Sequence, residues 1–236
     1  MIQAVKNSLI VFALFFISMS VMAQKKINDN WIDWANFKRY EAENNKVTPP
    51  LNSENRVVFM GNSIFEGWIR LRPEFFSGKP YFDRGISGQT TPQMLLRMYD
   101  DVIALQPDIM VLKAGINDIA ENNAPYNPDH TLDNIKAMAQ LARFNKIKVI
   151  LCSVLPASDF KWRPGLAPGD KVIALNEAIK KFATENKFYY LDLYSAVVDD
   201  NKGMRKEYAS DGVHPTVEGY KVMEPLMEEA IRKVRK

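Results

Sequence analysis

The chain has 236 residues, 47% hydrophobic and 25% charged, with a net charge of +3, which excludes a disordered, collagen-like or strongly basic nucleic-acid-binding protein. A single cysteine, Cys152, excludes an intramolecular disulfide framework and a cysteine-based zinc site. Two histidines, His130 and His214, are too few for a multi-histidine metal centre, so neither metal nor cofactor is expected.

The first 23 residues have the pattern of a secretory signal peptide. Lys6 supplies the positive region, Leu9 to Val21 is mostly apolar, and Val21 and Ala23 put small side chains before Gln24. The apolar run is short for a membrane span of about 20 residues. The expectation is cleavage near Ala23 and a periplasmic or secreted product with no stable membrane span. An uncleaved anchor is the weaker alternative, and the absence of a junction cysteine excludes lipoprotein attachment. The remaining chain divides into an N-terminal helix and linker, 24–55, and one domain, 56–236.

Trp31, Trp34, Phe37 and Tyr40 recur at a spacing of three, which predicts a helix from Trp31 to Asn45 that packs on the domain surface. Thr48-Pro49-Pro50 ends it. Strand and helix patterns then alternate. Strands are expected at Arg56–Gly61, Tyr81–Arg84, Asp108–Ala114, Lys148–Leu155 and Phe188–Leu193. Helices are expected at Ile64–Arg72, Pro92–Ala104, Pro128–Asn145 and Pro168–Asn186, and from about Pro215 towards Lys233. Asp129 reads as a helix cap beside an exposed His130. Met223, Leu226, Met227, Ala230, Ile231 and Val234 form the core stripe of the last helix, in which Pro225 predicts a kink or local break. The basic tail from Arg232 complements the carboxyl end of that helix.

Alternating strands and helices define an α/β fold, a three-layer α/β/α sandwich around a five-stranded parallel, flavodoxin-like sheet. Ligands of such sheets bind beyond the carboxyl ends of the strands, so the polar residues there matter most. Gly61-Asn62-Ser63 follows the first strand and sets a hydroxyl at a helix start, although Gly-x-Ser by itself equally describes a helix cap. Gly85 to Thr91 follows the second, with Gly88 able to aim an N–H at a ligand or merely to make a turn. It is not a dinucleotide fingerprint. Gly115-Ile116-Asn117-Asp118 follows the third, offering an amide donor or a turn. Asp211-Gly212-Val213-His214 precedes the last helix, where a carboxylate three residues before an imidazole can orient it as a base.

In this order the four blocks resemble the SGNH (GDSL) hydrolase family, over Arg56 to about Ile231. Gly85 to Met98 further resembles the thioesterase/lysophospholipase and platelet-activating-factor acetylhydrolase branches. The resemblance implies Ser63 as nucleophile, His214 as general base and Asp211 as its partner. It also implies an oxyanion hole made by the Ser63 and Gly88 N–H groups and the Asn117 amide. One departure is Asn62, where the family usually has aspartate; activity is expected to survive it. Trp162 and Arg163, in the loop after the fourth strand, are candidates to stack on a sugar ring and bind an acidic group. Together with the signal pattern, the resemblance therefore implies an exported esterase whose partner is a small ester, foremost an O-acetylated carbohydrate. A lysophospholipase or thioesterase on longer acyl chains, and a non-catalytic carbohydrate-binding protein, are the alternatives.

Overall fold

Every residue from Val57 to Asn62 is buried, because this run forms β1 (Val57–Asn62), a strand with neighbours on both sides. The computed structural model describes residues 33–51, 54–209 and 211–236; Trp31 and the segment read as a signal peptide lie outside them. The other strands are β2 (Tyr81–Ile86), β3 (Ile109–Leu112), β4 (Lys148–Cys152) and β5 (Tyr189–Leu191). All pair in parallel in the order β2-β1-β3-β4-β5, the expected five-stranded sheet.

The helices are α1 (Lys38–Asn44), α2 (Ser63–Leu71), α3 (Pro73–Phe76), α4 (Thr91–Leu96) and α5 (Met98–Asp101), then α6 (Ile116–Ile119), α7 (Pro128–Phe144), α8 (Pro168–Asn186), α9 (Tyr194–Val197) and α10 (Val217–Arg235). Side chains alternate across the strands, as a pleat requires. Val58, Met60, Met110 and Leu112 pack with apolar residues of α4, α7 and α8. Val57, Phe59, Ile109 and Val111 pack on the other face with α2 and α10. Among the described residues, no helix is long and apolar enough to cross a membrane.

Three local expectations are corrected. The N-terminal helix is interrupted at Asn36, whose φ of 56° is left-handed, a state asparagine tolerates better than most residues. Tyr40 is nonetheless buried, and its hydroxyl donates to the Gly85 carbonyl at 2.5 Å. The helix expected over Pro92–Ala104 is split into α4, α5 and a 3₁₀ turn at Ile103–Leu105. Arg97 stands at the first break, fully buried, donating to Gln89 Oε1 at 2.5 Å, Asp101 Oδ2 at 2.7 Å and the Gly61 carbonyl at 2.9 Å. A guanidinium placed in the core must satisfy its donors there, and those partners outweigh helix continuity. Of the kink or break expected at Pro225, the break is absent: α10 runs through it as one helix. Pro225 is exposed, so water can reach the Lys221 carbonyl that loses its helical donor.

Candidate active site

The site is assembled where strands hand over to helices. Asn62, the last residue of β1, caps α2: its side chain accepts from the Ile64 N–H at 3.4 Å. Its Nδ2 is buried without a hydrogen-bond partner. Ser63 is the first residue of α2, where unpaired N–H groups and the positive end of the helix favour developing negative charge. Beneath it α2 rests on an aromatic cluster. Trp68 stacks on Phe75 and Tyr220 at ring-centroid distances of 4.9 and 5.2 Å, and Phe59 meets Phe65 edge-on at 5.5 Å. β2 passes so close to α2 that a Cβ on Gly85 would lie 2.4 Å from the Glu66 nitrogen. Only glycine fits there.

The loop before α10 brings the imidazole to the serine. Ser63 Oγ lies 2.9 Å from His214 Nε2, and His214 Nδ1 lies 2.6 Å from Asp211 Oδ2. The other oxygen of Asp211 accepts the N–H groups of Val213 at 2.8 Å and His214 at 2.7 Å. Burial tends to raise the Asp211 pKa, but these donors and the imidazole outweigh it and hold the carboxyl below the usual aspartate range. With Asp211 accepting from Nδ1–H, Nε2 is left to accept the Ser63 proton.

The loops after β2 and β3 are bonded to each other through Asn117 and Asn122. Gly88 adopts a φ of 77°, and no atom would lie within 4 Å of a Cβ there, so the glycine serves backbone conformation. Asn117 is buried in α6 and donates to the Gln89 carbonyl at 2.9 Å, which puts its amide beside Gly88. Asp118 turns away and accepts the Thr91 N–H at 3.1 Å and its hydroxyl at 2.6 Å. Burial raises the Asp118 pKa. Ser63, His214 and Asp211 open on a cleft of about 940 Å³ that also touches Glu66, Arg70 and Ser87.

The two loop candidates differ. The Trp162 ring is 48% exposed and lies 6.2 Å from the His214 ring. Arg163 is already engaged: its guanidinium donates to the Ala120 carbonyl at 3.1 Å and to the Glu121 carbonyl. It braces the loop against the end of α6. At the start of α7, Asn127 rather than Asp129 is the cap, accepting the His130 N–H at 3.1 Å. Residues that sequence reasoning missed include Glu66, Arg97 and Asn122. Glu66 reads locally as a first-turn acid matching the helix dipole, and nothing nearby in sequence names its partners.

An α/β sandwich carrying a serine, an imidazole and a carboxylate in bonding sequence at the head of its sheet has the build of a serine hydrolase. Residues 59–222 match the GDSL-like lipase/acylhydrolase family, and the chain belongs to that family. A GDSL-like lipase structure from Bacteroides thetaiotaomicron is 51% identical, with a TM-score of 0.82 over 84% of this chain and 98% of that one. An acetylxylan esterase of Xylanibacter ruminicola is 27% identical over 79% of this chain and 45% of its own length. The chain thus spans about half the length of that curated relative. An acetylxylan esterase structure from Geobacillus stearothermophilus, 19% identical, shares the fold with a TM-score of 0.59 over 77% of this chain and 95% of that one.

Proposed function

We propose that the protein hydrolyses carboxylic esters through an acyl-serine intermediate and that its substrate is an O-acetylated carbohydrate. The observation that carries the reaction is the continuous run of bonds from Ser63 Oγ through His214 to Asp211. A serine hydroxyl is a weak nucleophile until a neighbouring base takes its proton. As Ser63 Oγ attacks the ester carbonyl carbon, its proton passes to His214 Nε2, and Asp211 steadies the imidazolium. Negative charge grows on the carbonyl oxygen, facing the N–H groups of Ser63 and Gly88 and the amide of Asn117. Collapse expels the alcohol, which takes the proton from His214. Water, deprotonated by the same imidazole, then releases the acid and restores the serine.

The carbohydrate reading is supported by the acetylxylan esterase relative and by the exposed Trp162 beside His214. An indole offers the flat apolar face on which a pyranose ring packs. Chromogenic esters of rising acyl length test it: acetyl is expected to be fastest, with acetylated xylo-oligosaccharides deacetylated in parallel. Rates that climb towards octanoyl would favour a lysophospholipase or thioesterase instead. Failure of a fluorophosphonate to label Ser63, together with glycan binding, would point to a non-catalytic binding protein. Export is part of the proposal, supported by the charged, apolar and small-residue pattern of Met1 to Ala23. Sequencing of the mature amino terminus is expected to begin at Gln24.

A further inference from the structure

We infer that Glu66 is a positioning residue that ties the Gly88 loop to the nucleophile helix; the inference rests on the serine-esterase reading above. Glu66 lies three residues after Ser63, one turn along α2. Its Oε2 accepts the backbone N–H of Ser87 at 3.0 Å and also the Ser87 hydroxyl. The next two residues are held from the opposite side. Asn122 Nδ2 donates to the Gly88 carbonyl at 3.1 Å, and Asn117 Nδ2 donates to the Gln89 carbonyl at 2.9 Å.

Packing does little here. Ser87 and Gly88 are both exposed, and the α-carbon of Gly88 faces open space on its side-chain side. Glycine at a positive φ has several other conformations within easy reach. The direction of the Gly88 N–H therefore depends on the hydrogen bonds to residues 87, 88 and 89. Glu66 supplies the part that is referenced to Ser63 itself, because both residues ride on one rigid helix. Its second oxygen lies 3.6 Å from the Arg39 guanidinium, a loose, partly exposed ion pair with the N-terminal helix. A donor displaced by a fraction of an ångström from the forming oxyanion loses much of its effect, whereas the neutral ester in the ground state senses it weakly.

The test is a kinetic split. Glu66→Ala is expected to lower kcat by about 10- to 100-fold with KM within about twofold, as loss of an interaction made only in the transition state requires. Inhibition by an acetamidomethyl-type boronic acid, which adds to the serine as a tetrahedral anion, is expected to weaken by a similar factor. Glu66→Gln keeps an acceptor oxygen and is expected to recover most of the loss. Ser87→Ala, which retains the backbone N–H, is expected to cost less than Glu66→Ala and to add little to it. An unchanged kcat and boronate affinity in both Glu66 variants would overturn the inference. A fall in kcat explained entirely by fewer titratable active sites would also overturn it. Ser63→Ala run alongside separates the two levels: if it stays active the esterase reading fails, and if only the Glu66 variants are indifferent this inference alone fails.

Discussion

The Tyr220 hydroxyl donates a 2.7 Å hydrogen bond to the Ile64 carbonyl, joining the last helix to the turn that carries Ser63. The bond is buried, and Gly67 leaves room for it, since a Cβ there would lie 2.7 Å from that hydroxyl oxygen. Tyr220→Phe is expected to cost about 1 kcal/mol, the usual net worth of one internal hydrogen bond. Chemical denaturation measures the loss. The rate constant kcat should fall by less than tenfold, because the Ser63–His214 contact keeps its other supports.

Ser63→Ala is expected to reduce ester hydrolysis to background. Asn117→Ala is expected to lower kcat by about 10²–10³, the usual cost of one oxyanion donor. Because the Asn117 amide also holds the Gln89 carbonyl, that variant should lose about 1 kcal/mol of stability as well. Steady-state kinetics beside thermal melts separates the two effects.

Asp211 keeps its charge to lower pH than an ordinary aspartate, so its contribution is present above the ordinary carboxyl range and is lost only as pH falls through its own depressed value. Protonation of Asp211 should therefore add no step to the pH–rate profile within the ordinary carboxyl range. A step in that range, absent from Asp211→Asn, would show that the carboxyl is not held below it. Asp211→Asn, which upsets the tautomer, is expected to lower kcat by orders of magnitude at every pH.

Asp83 behaves in the opposite sense. It is buried in β2 with Oδ1 accepting the Gly85 N–H at 2.6 Å and Oδ2 unpartnered, and burial pushes its pKa up to about 7. A raised carboxyl pKa means the folded state prefers the proton. Its penalty is absent below the unfolded value near 3.8, grows as pH rises, and is complete above about 7. The full penalty is of order 4 kcal/mol at most. Asp83→Asn should be near neutral at pH 4 and clearly stabilising at pH 8, as urea unfolding at the two values would reveal.

Gly85→Ala should destabilise the fold by about 1–3 kcal/mol, the range for forcing an extra methyl into a packed contact. The added carbon would press on backbone, 2.4 Å from the Glu66 nitrogen and 2.7 Å from the Asn62 carbonyl oxygen. Differential scanning calorimetry tests this without reference to activity.

Much of this architecture is legible in the order of residues, and the reasons are local. Runs such as RVVFMG and IMVLKA are buried on both faces, so each strand announces itself without its neighbours. The four polar blocks stand out because each follows a strand or precedes the last helix. The breaks at Asn36 and Arg97 were hidden for the converse reason. Arg97 is set by Gly61, 36 residues earlier in the chain, and a helical stripe carries no trace of that partner. Glu66 and Asn122 escaped notice in the same way, their partners Ser87 and Gly88 lying 21 and 34 residues off.

Ser63 and His214 are 151 residues apart in the chain, and the imidazole enters only with the loop that leads into the final helix. A nascent polypeptide that has already folded its first strands consequently carries a serine with no proton acceptor. The serine meets its imidazole only when α10 docks.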